Sequence, residues 1–202
     1  MSDRTDALGG RLPLADPAAL SPAQQEVLDR MATRIVPWAH DARFQSTAED
    51  GRLIGPFNPA LLNPAIAAPF LDLQFAEQLH TSLNERVREV VILAVGAVWR
   101  ADYELYAHLA LARKVGLSEA AARAVATGGA PHGLSDSEMI ALRLTQQLST
   151  GRRVEESLYR EAENAFGARG LIDIAFLISI YHSVCATLTM FAIPAPEQVR
   201  SS

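Results

Sequence analysis

The sequence predicts an all-α protein folded as one helical bundle, and three observations carry that expectation. Apolar residues recur at helical spacing, and no segment sustains the period-two alternation of a strand. Serine, proline and glycine stand where helices should start and stop. With 202 residues, 49% of them hydrophobic, the chain can bury one sizeable core.

Residues 1–20 are polar and carry proline and glycine, so they are expected to be flexible, with 21–202 as a single folded domain. Ser21-Pro22 offers an N-cap followed by proline at the first helical position. The helix it opens should carry Val27, Met31 and Ile35 on one face and stop before Pro37. Prolines punctuate 51–69, which reads as loop with short helical turns, and 70–81 reads as a helix ending near His80. Ser82-Leu-Asn-Glu85 matches a capping box, in which the serine and glutamate side chains each satisfy an orphan backbone N–H. The helix behind it is almost wholly apolar from Val90 to Trp99, and the next runs from about Asp102 to Val115, closing at Gly116. Ser118 opens a short alanine-rich helix that closes at Gly128-Gly129. Ser135-Asp-Ser-Glu138 is a second capping box, opening a helix through about Ser149. A helix over 155–166 stops at Gly167, and the last covers about 170–191, ending before Pro194.

Composition narrows the function. A net charge of -5 with no basic cluster gives a nucleic-acid partner no electrostatic footprint. Cys185 is the only cysteine, so an intramolecular disulfide is impossible, which fits a reducing compartment and a cytoplasmic protein. Met1 to Gly10 lacks the apolar stretch of a signal peptide. Residues 171–193 are long and apolar enough to span a bilayer. Ser179, Tyr181, Ser183, Thr187 and Thr189 dilute them, and no basic flank follows, so a buried core or interface helix is expected rather than a membrane partner.

The chemistry is concentrated between Glu89 and His108. Glu104 and His108 stand four apart on a helix and share a face. With Asp102 as N-cap, Glu104 falls in the first turn, where the helix dipole favours its anion. A carboxylate beside an imidazole favours imidazolium and keeps a proton donor available, which suits general acid–base work. If Trp99–Ala101 bends a helical hairpin, Glu89 comes within about a helical turn of His108. The plainer readings are a surface ion pair for Glu104 and His108, a solvated face for Glu85-Arg86-Val87-Arg88-Glu89, and core or rim packing for Trp99, Tyr103 and Tyr106. His182 and Cys185 read as packed core residues, and His40, His80 and His132 have no obvious partners.

The segment Glu89 to His108, with Val-Ile-Leu-Ala-Val inside it and Leu-Ala-Arg-Lys-Val-Gly-Leu-Ser after it, resembles the signature of the carboxymuconolactone decarboxylase and AhpD-like family over about residues 50–130. The alkylhydroperoxidase branch has a glutamate, a Cys-x-x-Cys pair and a histidine at this spacing. Here Glu89 and His108 match the glutamate and histidine, while Ala101 and Glu104 occupy the cysteine positions. Without those thiols a peroxiredoxin-type role is not expected. The branch lacking the cysteine pair similarly carries a glutamate four residues before the histidine.

The resemblance implies an AhpD-like bundle, a homo-oligomer (trimer or hexamer), and a small-molecule substrate with no cofactor. It implies decarboxylation, or a related proton transfer, on a carboxylated or lactone-like compound. His108 would be the proton donor, Glu104 its orienting partner and Glu89 a second acid–base group. Arg52 and Arg100 are candidates to grip a carboxylate, and Trp99 and Tyr103 to line the pocket. A metal site of Glu89, Glu104 and His108 lacks a second histidine. The remaining alternative is an oligomeric binding protein without catalysis.

Overall fold

The apolar run that follows Asn84 becomes the centre of the molecule. The computed structural model describes residues 8–129 and 131–196. Eight α-helices lie among them: α1 (Pro22–Ala42), α2 (Phe57–Ala60), α3 (Pro64–His80), α4 (Glu85–Trp99), α5 (Asp102–Lys114), α6 (Glu119–Ala126), α7 (Asp136–Gln146) and α8 (Glu156–Met190). Helix α4 is buried all round from Glu89 to Gly96 and packs against α5, α6, α7 and α8, as a helix without a polar stripe must. Extended pairing among the described residues is limited to one bridge between Thr47 and Leu53.

A second layer, α1 with α3, closes over this core through Val27, Met31, Ile35, Ala67 and Leu71. Helix α8 breaks at Gly167, where φ is 64°. Its buried face (Ile174, Leu177, Ile178, Val184, Leu188) enters the core, while Ile172, Phe176 and Met190 remain exposed. The long apolar C-terminal helix is therefore core along one face only.

Several expected boundaries differ. Helix α1 runs through Pro37 to Ala42, and α3 starts at Pro64, passing through Pro69. An internal proline costs a helix about 3 kcal/mol. Burial of Ile35, Ala39 and Ala42 around the first, and of Ala67 and Leu71 around the second, offsets that cost. Ser82 does not cap α4; its N–H and hydroxyl both donate to Asp173 Oδ2 (2.8 and 2.6 Å), tying the α3–α4 joint to α8. The cap is Asn84, which accepts from the Val87 N–H. Likewise Ala101, not Asp102, is the N-cap of α5. Ser21 caps α1 as expected, with Gln24 adding a capping box to that N-cap, and the capping box at Ser135 is formed.

The segment expected to be flexible over 1–20 is fastened over part of its length. Leu14 is buried, the Arg11 N–H donates to the Phe191 carbonyl, and the Ala15 N–H donates to Asn58 Oδ1. Residues 1–7 lie outside the described residues.

Candidate active site

The α4–α5 hairpin sets the site. Arg100 ends α4 in the left-handed conformation (φ 51°), and the Ala101 N–H returns to the Gly96 carbonyl. A Cβ on Gly96 would lie 2.9 Å from the Leu105 side chain and 3.6 Å from Glu104 Cγ. Glycine there lets α5 approach closely enough to bring Glu104 and His108 beside Glu89.

His108 sits between the two glutamates. Its Nδ1 donates to Glu89 Oε2 at 2.9 Å. Its Nε2 lies 3.1 Å from Glu104 Oε1, but off the N–H direction. Glu104 Oε1 is the one side-chain polar atom among the described residues that is sealed from solvent and without a hydrogen bond. All three residues are at least 95% buried. Burial alone would lower the imidazole pKa, but the charges of Glu89 and Glu104 outweigh it and raise the value to about 10. The site therefore holds an imidazolium, with one proton committed to Glu89 and the other beside an unsatisfied carboxylate oxygen.

These side chains form part of the wall of a cavity of about 810 Å³ between the α1–α3 layer and the core. The rest of the wall is mostly apolar, with Trp38, Phe44, Phe57 and Phe70 prominent. Tyr103 reaches it too, fully buried with its hydroxyl donating to the Gln45 carbonyl at 2.6 Å. Its ring presses on Gly55 (φ 63°), where any Cβ would lie 2.2 Å from it.

The other sequence candidates stand apart. Arg52 is paired with Asp50 at 2.7 Å on the surface, and Arg100 is an exposed cap residue; neither lines the cavity. Trp99 turns the other way and donates to His182 Nδ1 at 2.6 Å, while His182 Nε2 is 2.9 Å from Ser149 Oγ. Two arginines line the cavity instead: Arg34, whose guanidinium lies 3.6 Å over the Phe75 ring, and Arg88, bound to Glu77 (Nε–Oε1 3.2 Å) within a nearly enclosed pair. Tyr181 was also not singled out; its ring stands edge-on to His108 with centroids 5.1 Å apart. Arg88 read as one charge in a run and Tyr181 as a dilution of an apolar helix, so no local signal distinguished them.

Two chemistries are poorly served. The carboxylates flank the imidazole instead of converging on one point, and no group able to hold a metal ion occurs among the described residues. Cys185 is fully buried, and burial together with the Glu104 charge pushes its thiol well above the usual range, the reverse of a reactive thiolate.

Comparison with known proteins agrees with the all-α fold. Residues 64–147, which span α4 and α5, match the carboxymuconolactone decarboxylase family. No curated protein matches the sequence. Two crystal structures share the fold. One is described as an alkylhydroperoxidase AhpD core, an uncharacterized peroxidase-related protein from Ralstonia eutropha JMP134 (TM-score 0.72, 17% identity, 94% of this chain and 93% of that one). The other is an uncharacterized peroxidase-related protein from Silicibacter sp. TM1040 (TM-score 0.70, 15% identity, 93% and 92%). The chain thus shares the AhpD-like fold over nearly its whole length and matches the carboxymuconolactone decarboxylase family over residues 64–147.

Proposed function

We propose that the chain is a cofactor-free acid–base catalyst of the carboxymuconolactone decarboxylase type, acting on a small carbonyl or lactone compound. The observation that carries this reading is the buried imidazole between two carboxylates on a cavity wall. Because Nδ1 is committed to Glu89, the proton delivered to substrate is the one on Nε2. Glu104 Oε1 beside it is the matching acceptor. In a decarboxylation the carbon–carboxylate bond breaks, its electron pair moves into the neighbouring carbonyl as an enolate, and carbon dioxide leaves. His108 then protonates the carbon and recovers its proton from water. Run without loss of carbon dioxide, the same pair exchanges a proton beside a carbonyl, with Glu104 accepting and His108 returning it.

A thiol peroxidase reading has less support, since Ala101 and Glu104 stand where that chemistry needs sulfur. A homo-oligomer is part of the proposal, motivated by exposed Ile172, Phe176 and Met190 on α8. The test is incubation with a panel of lactones, keto acids and aryl ketones in deuterated water, following deuterium incorporation and carbon dioxide release. Turnover by the native protein and none by His108→Gln is expected. Equal incorporation by both overturns the reading, and so does none by either, which leaves a binding protein.

A further inference from the structure

Moving a proton on a carbon next to a carbonyl places negative charge on the carbonyl oxygen. A catalyst needs a second donor there, separate from the group serving the carbon. The buried triad does not supply one, because its Nδ1 proton is held by Glu89 and its Nε2 proton serves the carbon. Building on the acid–base reading above, we propose that Tyr181 is that donor: its hydroxyl receives the substrate's carbonyl oxygen, and the substrate is a carbonyl compound on an apolar body.

Four tyrosines occur in the chain, and three have their hydroxyls engaged. Tyr103 donates to the Gln45 carbonyl, Tyr106 accepts from the Gln45 N–H at 3.0 Å, and Tyr159 donates to Glu163 at 3.0 Å. The Tyr181 hydroxyl makes no hydrogen bond among the described residues, yet Tyr181 lines the cavity and packs edge-on against His108. Glu104, Arg88, Glu89 and Glu77, all on the cavity wall, are the charges that bear on this hydroxyl. Burial first, then Glu104, pushes its ionisation well above the usual tyrosine value, so it keeps its proton across the working pH range. Arg88 is held by Glu77 and does not compete for the oxygen.

The cavity supplies the rest of the specificity. Its volume of about 810 Å³ falls within the range that encloses a drug-sized ligand. Trp38, Phe44, Phe57 and Phe70 offer aromatic contact with an apolar body. The wall also carries four glutamates, Glu77, Glu85, Glu89 and Glu104, and three cationic side chains, Arg34, Arg88 and Lys114, of which Arg88 is paired with Glu77 and Lys114 with Asp41.

Acetophenone, a carbonyl on an apolar ring, is the probe, and its bound carbonyl stretch is read by isotope-edited infrared spectroscopy. The native protein should bind it with the stretch lowered by a donated hydrogen bond. Tyr181→Phe should restore the higher frequency and weaken binding about tenfold. Ethylbenzene, lacking the carbonyl, should bind both proteins equally. Replacing Tyr181 by a fluorinated tyrosine, which keeps the ring and strengthens the donor, should lower the stretch further. An acetophenone stretch that neither variant moves overturns the proposal, as does failure of the native protein to bind the probe. Binding requires no turnover. A lowered stretch without deuterium exchange would therefore remove the acid–base reading alone, whereas exchange with an unmoved stretch would remove Tyr181 alone.

Discussion

His108 Nδ1 and Glu89 Oε2 meet at 2.9 Å, although the two residues stand 19 positions apart, and both side chains are almost sealed from solvent. A buried charge pair is not by itself a stabilising device, because desolvation offsets much of its attraction. Its consequence here is chemical: it fixes one nitrogen and leaves the other for proton transfer. His108→Gln is expected to lower turnover by about two to four orders of magnitude, the usual share of general acid–base catalysis. Glu104→Gln should cost less in decarboxylation, since the imidazolium keeps Glu89, and as much as His108→Gln in proton exchange, where Glu104 is the acceptor. Deuterium incorporation, with circular dichroism as the check on folding, reads both.

The raised His108 pKa makes stability depend on pH. Folding lifts it from the ordinary 6.5 to about 10, so the native state binds the proton more tightly than the unfolded chain. The stability this contributes is fully present below pH 6.5 and is lost as pH rises through about 10. Urea unfolding across that interval should show stability falling by about 1.4 kcal/mol per pH unit, a slope missing in His108→Gln. Turnover should fall over the alkaline end of the same range.

Cys185 should be inert. Its burial and the Glu104 charge both oppose thiolate formation. The native protein is expected to resist thiol reagents until unfolded, and Cys185→Ser should leave any peroxide consumption unchanged. Rapid labelling of the folded protein would count against a structural role.

Exposed Ile172, Phe176 and Met190 predict self-association through the outer face of α8. Light scattering should give a mass three or six times the 21.8 kDa chain, and Phe176→Asp should lower it. A native mass of one chain at micromolar concentration would rule the oligomer out.

The sequence is legible where local rules decide. The Glu104–His108 pair follows from helical spacing, and the N-cap at Ser21 and the capping box at Ser135 form as their side chains dictate. It is less legible where a distant element intervenes. Ser82 has the chemistry of a cap but is taken by Asp173, and Pro37 and Pro69 look like helix ends until the buried residues beside them are seen. Within the candidate site, Arg52 and Arg100 were reasonable by charge, yet pairing with Asp50 and a cap position keep them away from the cavity. Arg88 and Tyr181 reach it through the packing of α4 against α8, which no local pattern encodes.

The central claim is that the buried triad holds a protonated imidazole, and nitrogen NMR of selectively labelled His108 tests it most directly. Both ring nitrogens should carry protons at mildly alkaline pH, where an ordinary histidine is neutral, and the ring should titrate near pH 10. Glu89→Gln should bring that titration down, because it removes the carboxylate that holds Nδ1. A neutral ring at mildly alkaline pH, titrating near 6.5 and unmoved by Glu89→Gln, would contradict the account.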